Sequence, residues 1–270
     1  MSQRRLPPLG LYIHFPWCEK KCPYCDFNSH ESTEIPQSDY VDALLKDLEN
    51  DLCHVQHRSI DTLFIGGGTP SLISTDALEQ LMQGLRQRLD FSPTIEATME
   101  ANPGSAEAEK FESFFNAGIN RLSLGIQSFQ DKQLEALGRI HNSDQAHAAI
   151  EMAKSAGFKQ LNLDLMHGLP NQSIENASSD LRSALAHNPS HLSWYQLTIE
   201  PNTKFYNAPP MLPVEDTLAN IQEQGERLLR GAGLTQYEVS AWSKPGFTCR
   251  HNTNYWHFGD YLAIGAGAHG

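Results

Sequence analysis

The chain contains 270 residues, 40% of them hydrophobic, and carries a formal net charge of −12 at pH 7. This length allows one large domain, or one barrel-like domain with part of another. Nucleic-acid binding depends strongly on contacts of lysine and arginine with phosphates. An acidic chain without a basic cluster is therefore not expected to have a nucleic-acid partner.

Apolar strand patterns and helical patterns alternate along the chain up to residue 199. Six buried strands are predicted, at 11–15, 62–65, 94–99, 121–126, 161–166 and 192–199. The segments between them carry apolar residues at helical spacing, as between residues 40 and 48. Consecutive strand–helix units imply parallel strands joined by right-handed crossovers. The predicted fold class is α/β, a partial (β/α)6 barrel of the TIM type.

The barrel is expected over residues 1–200. The acidic, proline-rich stretch 201–216 predicts a linker, and residues 217–270 predict the start of a C-terminal region with a strand at 236–242. The glycine-rich segment 265–270 is typical of a turn in mid-fold. We therefore expect a truncated C-terminal domain.

Three cysteines, Cys18, Cys22 and Cys25, follow the first predicted strand. Their C-x3-C-x2-C spacing supplies three thiolates without a close fourth cysteine, whereas iron–sulfur and structural zinc sites usually take four protein ligands. A centre held in this way keeps one metal position free. The alternative is a zinc site completed by His14 or His30, although zinc motifs more often pair two C-x2-C knuckles.

The first residues, 1–5, lack the pattern of a signal peptide, and the chain has no long apolar run. We therefore expect a cytoplasmic protein in which thiols stay reduced. Association with a membrane is expected only through partners.

Each predicted strand ends in a polar or glycine-rich segment. The cysteines follow the first strand, the glycines at 66–68 the second, and polar side chains the remaining four. A single polar residue at the end of a strand is as often a cap or a loop residue as part of a functional site. In barrels of parallel strands, the active-site residues lie at the C-terminal ends of the strands. Polar or glycine-rich segments at all six strand ends therefore predict one shared pocket.

The cysteine motif resembles the signature of the radical S-adenosylmethionine (SAM) enzymes. In that superfamily three thiolates hold a [4Fe-4S] cluster, and the fourth iron chelates the amino and carboxylate groups of SAM. The resemblance extends to residues 12–16, 66–70, 121–129 and 162–170. These segments are similar to the branch that contains oxygen-independent coproporphyrinogen oxidase and the HemW-type heme chaperones.

The resemblance implies that nine residues bind SAM. Tyr12, Gly67 and Glu100 match positions that contact the cluster-bound SAM. The other positions line the rest of the SAM pocket, or a second SAM in the oxidase: Tyr24, Gly68, Thr69, Gln127, Arg139 and Asp164. Arg139 can pair with a carboxylate, and its alternative is a solvated arginine at a helix end.

Two features separate the chain from the oxidase. Phe27 stands where the oxidase has a further cysteine, and the first strand begins without the oxidase's N-terminal extension. Residues 251–256 fit the H-N-x-x-Y-W motif of HemW-like proteins, in which the histidine, here His251, is implicated in heme binding. From the residues alone, such a histidine is more often packed in a core, and Cys249 is a second candidate ligand.

The sequence therefore predicts a heme chaperone of the HemW type. It would bind a [4Fe-4S] cluster, SAM and heme, and deliver heme to apo-hemoproteins, with membrane-bound respiratory enzymes among the candidate recipients. No catalytic residue is predicted, and a homodimer is left open. The alternatives are an oxygen-independent coproporphyrinogen oxidase and a structural zinc protein.

Overall fold

The computed structural model describes residues 6–104 and 108–269. The strands are β1 (Leu9–Phe15), β2 (Trp17–Cys18), β3 (His30–Glu31), β4 (Ile60–Gly67), β5 (Phe91–Ala101), β6 (Arg121–Gln127), β7 (Gln160–His167), β8 (His191–Gln196), β9 (Thr235–Gln236), β10 (Ala241–Ser243) and β11 (Asp260–Ile264). The helices are α1 (Gln37–Asp51), α2 (Thr75–Arg88), α3 (Phe111–Ala117), α4 (Asp131–Ala136), α5 (Ser143–Ser155), α6 (Ile174–Ala186), α7 (Lys204–Asn207), α8 (Glu215–Gly231) and α9 (Arg250–Trp256). The expectations for residues 1–5 and Gly270 lie outside the described residues.

Nine of the strands form one sheet in the order β11-β1-β4-β5-β6-β7-β8-β10-β9. The seven strands from β11 to β8 run parallel to their neighbours, whereas β10 and β9 are antiparallel. β1 and β4 to β8 are the six predicted strands, although the last ends at Gln196 instead of residue 199. The predicted α/β partial barrel of six strand–helix units is confirmed.

The long helices each turn one apolar face into the same core as the strands. α1 buries Val41, Leu44, Leu45 and Leu48, which recur at helical spacing. Burying one such leucine contributes about 1.5–3 kcal/mol, so this face fixes the helix on the sheet. Among the described residues, no helix has the length and apolar character needed to cross a membrane.

Polar side chains on neighbouring strands bond to one another on one side of the sheet. Asn162 Nδ2 donates to Ser123 Oγ (2.7 Å) and to Asp164 Oδ1 (2.8 Å), and His191 Nδ1 lies 2.6 Å from Asn162 Oδ1. Because alternate residues of a strand face the same side, Asn162 and Asp164 lie on the same side of β7. The fold thereby gathers polar groups where the parallel strands end.

Residues 217–264 add strands to both edges of this sheet: β10 pairs with β8, and β11 pairs with β1. The prediction of one strand at 236–242 is wrong, since β9 and β10 form an antiparallel hairpin. Between the two strands the Tyr237 N–H donates to the Ala241 carbonyl oxygen (3.1 Å), and the Tyr237 hydroxyl oxygen lies 2.6 Å from His191 Nε2. The predicted linker at 201–216 contains α7 and leads directly into α8.

Candidate functional site

The C-terminal ends of the parallel strands surround a cavity of about 310 Å³. We call it the strand-end cavity. Its walls contain all three predicted cluster cysteines and eight of the nine predicted SAM residues. These are Cys18, Cys22, Cys25, Tyr24, Gly67, Gly68, Thr69, Glu100, Gln127, Arg139 and Asp164. Tyr12 and His251 are the two predicted site residues that do not line it.

The cysteines lie on a loop that leaves β1 and is held by its own hydrogen bonds. Cys18 ends β2, which pairs with β3. The Cys25 N–H donates to the Cys22 carbonyl oxygen (3.1 Å), and Lys21 Nζ donates to the Phe27 carbonyl oxygen (2.9 Å). Every cysteine of the chain is a free thiol, so the three in this loop are available as ligands.

Of the two histidines considered as a fourth ligand, His14 already uses both ring nitrogens. His14 Nδ1 lies 2.9 Å from the Tyr12 hydroxyl oxygen, and its Nε2 donates to the Asn28 carbonyl oxygen at 2.8 Å. His30 is exposed, and its Nε2 lies 3.1 Å from Asn28 Oδ1. The alternative of a zinc site completed by His14 therefore finds no support in the geometry.

The glycine-rich turn after β4 packs directly against the cysteine loop. The Gly68 N–H donates to the Phe15 carbonyl oxygen and the Thr69 N–H to the Trp17 carbonyl oxygen, both at 2.7 Å. A Cβ at Gly68 would lie 2.5 Å from the Trp17 carbonyl oxygen, and Gly67 has a φ of 115°. Glycine is required because no side chain fits this approach or this backbone conformation.

Two carboxyl groups, Glu100 and Asp164, share the cavity. Burial raises the pKa of Glu100 to about 8, and the nearby charge of Asp164 adds to the effect, while the Gly67 N–H donates to Glu100 Oε2 at 3.2 Å. Burial also raises the pKa of Asp164, against hydrogen bonds that include one from Ser123 Oγ (2.7 Å). A buried pair of carboxyl groups favours a cationic ligand, which relieves their repulsion.

Arg139 turns its guanidinium into the same cavity. Its Nη2 donates to Asn102 Oδ1 (2.6 Å) and to the Gly125 carbonyl oxygen (2.8 Å), and its Nη1 donates to Cys22 Sγ (3.5 Å). Its Nε is buried without a hydrogen-bond partner in the described part of the chain. The alternative of a solvated helix-end arginine is therefore wrong, and the unpaired Nε suits a carboxylate of a ligand.

Gln127 closes β6 with a strained backbone. Its φ of 66° is left-handed, and the pairing of β6 with β7 shifts register just before it. Gln127 Oε1 accepts a hydrogen bond from the Tyr195 hydroxyl (2.8 Å). Tyr195 and Ser193 also line the cavity but were missed from the sequence. Their alternate positions on β8 were the signal that could have placed them there.

Tyr12 lines a second cavity of about 470 Å³, which shares Phe27, Gly67 and Glu100 with the first. His251 lies behind this second cavity and is 2% exposed. The structure therefore does not bring the predicted heme residue into the pocket that gathers the cysteines.

The sequences of known proteins agree with this arrangement. The family model described as the radical SAM superfamily matches residues 12–183. The chain belongs to the radical SAM superfamily. Because this family implies a [4Fe-4S] cluster and SAM, the membership favours an iron–sulfur protein over the alternative of a structural zinc protein.

Two relatives are similar to nearly the whole of this chain, which spans about 70% of their length. The chain is 57% identical over 267 residues to the heme chaperone HemW of Escherichia coli, covering 98% of this chain and 71% of that protein. It is 38% identical over 266 residues to the heme chaperone HemW of Bacillus subtilis, covering 97% of this chain and 70% of that protein. The expected place on the HemW branch is confirmed.

The fold is also that of coproporphyrinogen III oxidase (HemN) from Escherichia coli, a solved radical SAM enzyme. The TM-score is 0.85 at 25% sequence identity, and the match covers 97% of this chain and 64% of that one. The chain thus spans less than two thirds of that enzyme, while the HemW proteins are the more similar in sequence.

The residues of the strand-end cavity fit the groups of a radical SAM protein, a [4Fe-4S] cluster and SAM. Three free thiols without a fourth suit a cluster that keeps one iron open. The buried carboxyl groups of Glu100 and Asp164 suit the positive charges of SAM, and the unpaired Nε of Arg139 suits its carboxylate.

Proposed function

We propose that the chain is a HemW-type heme chaperone that holds a [4Fe-4S] cluster and SAM, binds heme and delivers it to apo-hemoproteins. One observation carries the proposal: the chain is 57% identical, over 98% of its length, to a protein named heme chaperone HemW. The strand-end cavity supports it, because the three cysteines lie there with the carboxyl groups of Glu100 and Asp164 and the guanidinium of Arg139.

We assign the cluster to Cys18, Cys22 and Cys25. When bound, the cluster supplies the electron that cleaves SAM. The sulfur of Cys22 accepts a hydrogen bond from the Arg139 guanidinium at 3.5 Å. The cysteine loop itself is fixed by Gly68 and Thr69, whose amides bond to the backbone around it.

We assign SAM to the nine residues named from the resemblance. Glu100 accepts hydrogen bonds from the ammonium group, and Arg139 donates to the carboxylate. The remaining seven surround the ligand or its second copy: Tyr12, Tyr24, Gly67, Gly68, Thr69, Gln127 and Asp164. Tyr12 would act from the second cavity, across the wall that Gly67 and Glu100 form between the two.

We place heme beside α9, the helix that carries His251. Direct ligation by His251 requires a rearrangement, because its Nε2 lies 2.9 Å from the Tyr255 hydroxyl oxygen and its Nδ1 lies 2.9 Å from Thr62 Oγ1. Cys249 is the weaker candidate, since burial raises the pKa of its thiol to about 11.

For partners we propose apo-hemoproteins, including membrane-bound respiratory enzymes, and no nucleic acid. A cytoplasmic chaperone would meet a membrane only through such recipients. We further propose residues 217–270 as the start of the C-terminal region and a homodimer as the state to test.

A hemin titration of the anaerobically reconstituted protein, followed by absorbance, tests this function beside a coproporphyrinogen assay on the same sample. We expect stoichiometric hemin binding and no protoporphyrinogen. Cys22→Ser should abolish the cluster chromophore and leave hemin binding intact, whereas Cys53→Ser, an exposed cysteine away from the cavity, should change neither. Porphyrinogen turnover without stable hemin binding would favour the oxidase, the second candidate, whose fold the chain shares.

A further inference from the structure

A line of four side chains runs along one side of the sheet, from the strand-end cavity to the segment between β9 and β10. Asp164 and Asn162 stand on β7, and His191 is the ladder partner of Asn162 on β8. Asn162 Nδ2 donates to Asp164 Oδ1 at 2.8 Å, and Asn162 Oδ1 lies 2.6 Å from His191 Nδ1. The other nitrogen of the imidazole, Nε2, lies 2.6 Å from the Tyr237 hydroxyl oxygen.

The partners fix the direction of each hydrogen bond in this line. An ionised carboxylate only accepts hydrogen bonds, so the amide nitrogen of Asn162 faces Asp164 and its oxygen faces His191. Because that amide oxygen also only accepts, the proton of the imidazole is on Nδ1. Burial lowers the pKa of His191 well below its usual range, with a further contribution from the charge of Arg121. The ring is therefore neutral, and its Nε2 accepts from the Tyr237 hydroxyl.

The Tyr237 hydroxyl selects this tautomer of His191. Its oxygen accepts a hydrogen bond from the Cys249 N–H at 3.1 Å, so its own proton is free to point at His191 Nε2. If the imidazole carried its proton on Nε2 instead, a bare Nδ1 would face the oxygen of Asn162, and two acceptors at this distance repel each other. Asn162 would then have to turn over and direct its carbonyl oxygen at the Asp164 carboxylate.

Asn162 reaches both oxygens of the Asp164 carboxyl group. Its amide also donates to Ser123 Oγ (2.7 Å), and the Ser123 hydroxyl donates to Asp164 Oδ2 (2.7 Å). Burial raises the pKa of Asp164, and the hydrogen bonds from Ser123, Ser193 and Asn162 oppose this effect. Without these donors the carboxyl group would bind a proton more readily and lose the charge that suits SAM.

We propose that Tyr237, His191 and Asn162 are positioning residues for SAM, which act in series through the Asp164 carboxylate. This inference rests on the proposed function, which places SAM beside Asp164. None of the three is among the residues that line the strand-end cavity. Each therefore acts through the next, as outer partners do at metal sites, and the segment between β9 and β10 is linked to the ligand.

The test is equilibrium dialysis of labelled SAM with the full, anaerobically reconstituted chain and its variants. Tyr237→Phe removes one hydroxyl and keeps the ring, so it should weaken SAM binding roughly two- to tenfold, the usual worth of one hydrogen bond. His191→Leu removes the donor to Asn162 and should weaken binding roughly 10- to 100-fold, the range for outer partners. His191→Asn offers an amide N–H near the place of Nδ1 and should recover most of that loss.

A double-mutant cycle separates positioning from a general loss of structure. Asp164→Asn removes the carboxylate through which the line acts. In that background, adding Tyr237→Phe should change the affinity for SAM by less than about twofold. A merely structural Tyr237 would lower the affinity by the same factor in both backgrounds.

Controls show that the variants keep the fold and the cluster. Tyr206→Phe changes a tyrosine of α7 that is 56% exposed and should leave the affinity for SAM unchanged. Far-UV circular dichroism and the cluster chromophore of each variant should match wild type. Tyr237 is only partly buried, so Tyr237→Phe keeps the test decisive even when His191→Leu does not fold.

Three results would overturn the inference. The first is wild-type affinity for SAM in folded Tyr237→Phe and His191→Leu proteins. The second is an equal loss in His191→Asn and His191→Leu, and the third is the same loss from Tyr237→Phe with and without the Asp164 carboxylate. A wild-type chain that holds its cluster and binds no SAM would instead overturn the proposed function, and the inference with it.

Discussion

Glu100 shows how burial sets the charge state of a single residue in the strand-end cavity. Its pKa rises from 4.5 to about 8 on folding, because burial and the charge of Asp164 disfavour the carboxylate. The folded state therefore prefers the protonated group. The stability that this preference contributes is fully present below pH 4.5 and is lost as the pH rises through about 8.

Glu100→Gln should remove this loss. In SAM-free protein we expect the variant to gain stability over wild type as the pH rises from 4.5 to about 8. The gain should reach at least about 1.4 kcal/mol, the equivalent of one pKa unit. Urea midpoints of both proteins at either end of this window measure it. A constant difference between the two would mean that Glu100 ionises normally in the fold.

The sequence identified the cysteines and the polar strand ends, because their spacing is local. It could not show that both nitrogens of His251 are engaged, since Thr62 lies 189 residues away along the chain and meets it only through folding. It also missed Tyr195, whose hydroxyl donates to Gln127 Oε1, a residue 68 positions away along the chain. The sequence pattern does not predict contacts between distant strands or the orientation of side chains.

Among the elements, the contact between the turn after β4 and the cysteine loop controls the shape of the site. An alanine Cβ at Gly68 would lie 2.5 Å from the Trp17 carbonyl oxygen and 2.8 Å from its carbon. Because these atoms belong to the backbone, the loop that begins at Cys18 would have to move.

Gly68→Ala should therefore lower the iron and sulfide content per chain after reconstitution. It should also reduce stability by about 1–3 kcal/mol, the usual cost of overpacking. Gly231→Ala is the matched control, because no atom lies within 4 Å of its added Cβ. A Gly68→Ala protein with full iron content would show that this contact does not position the cysteine loop.

Strands with strong apolar runs were predicted to within a few residues, because burial on both faces leaves a clear pattern. The hairpin of β9 and β10 was not, since strands of two and three residues are too short to leave a pattern in the sequence. β11 was missed as well: only five residues long, it gains its place from pairing with β1 at the far end of the chain.

For the molecule as a whole, pairing at both sheet edges makes the C-terminal region part of one cooperative unit. Ile264 on β11 is fully buried and pairs with Ile13 of β1. Ile264→Ala should therefore destabilise the whole chain, by roughly 2–5 kcal/mol. Its urea transition should stay single, with an unchanged m value.

Tryptophan fluorescence and far-UV circular dichroism should report the same transition. Val239→Ala, at a position 76% exposed in the same region, is the control and should change stability by less than about 0.5 kcal/mol. Two separate transitions would instead divide the C-terminal region from the barrel as an independent domain.

The pairing of β11 with β1 also sets an order of events in time. Leu9 and Asp260 are ladder partners about 250 residues apart in the chain. At a synthesis rate of about 5–20 residues per second, roughly 10 to 50 seconds pass between the synthesis of β1 and that of β11. The strand that leads into the cysteines therefore has an open edge until β11 has been synthesised, and iron should be loaded only after β11 has paired.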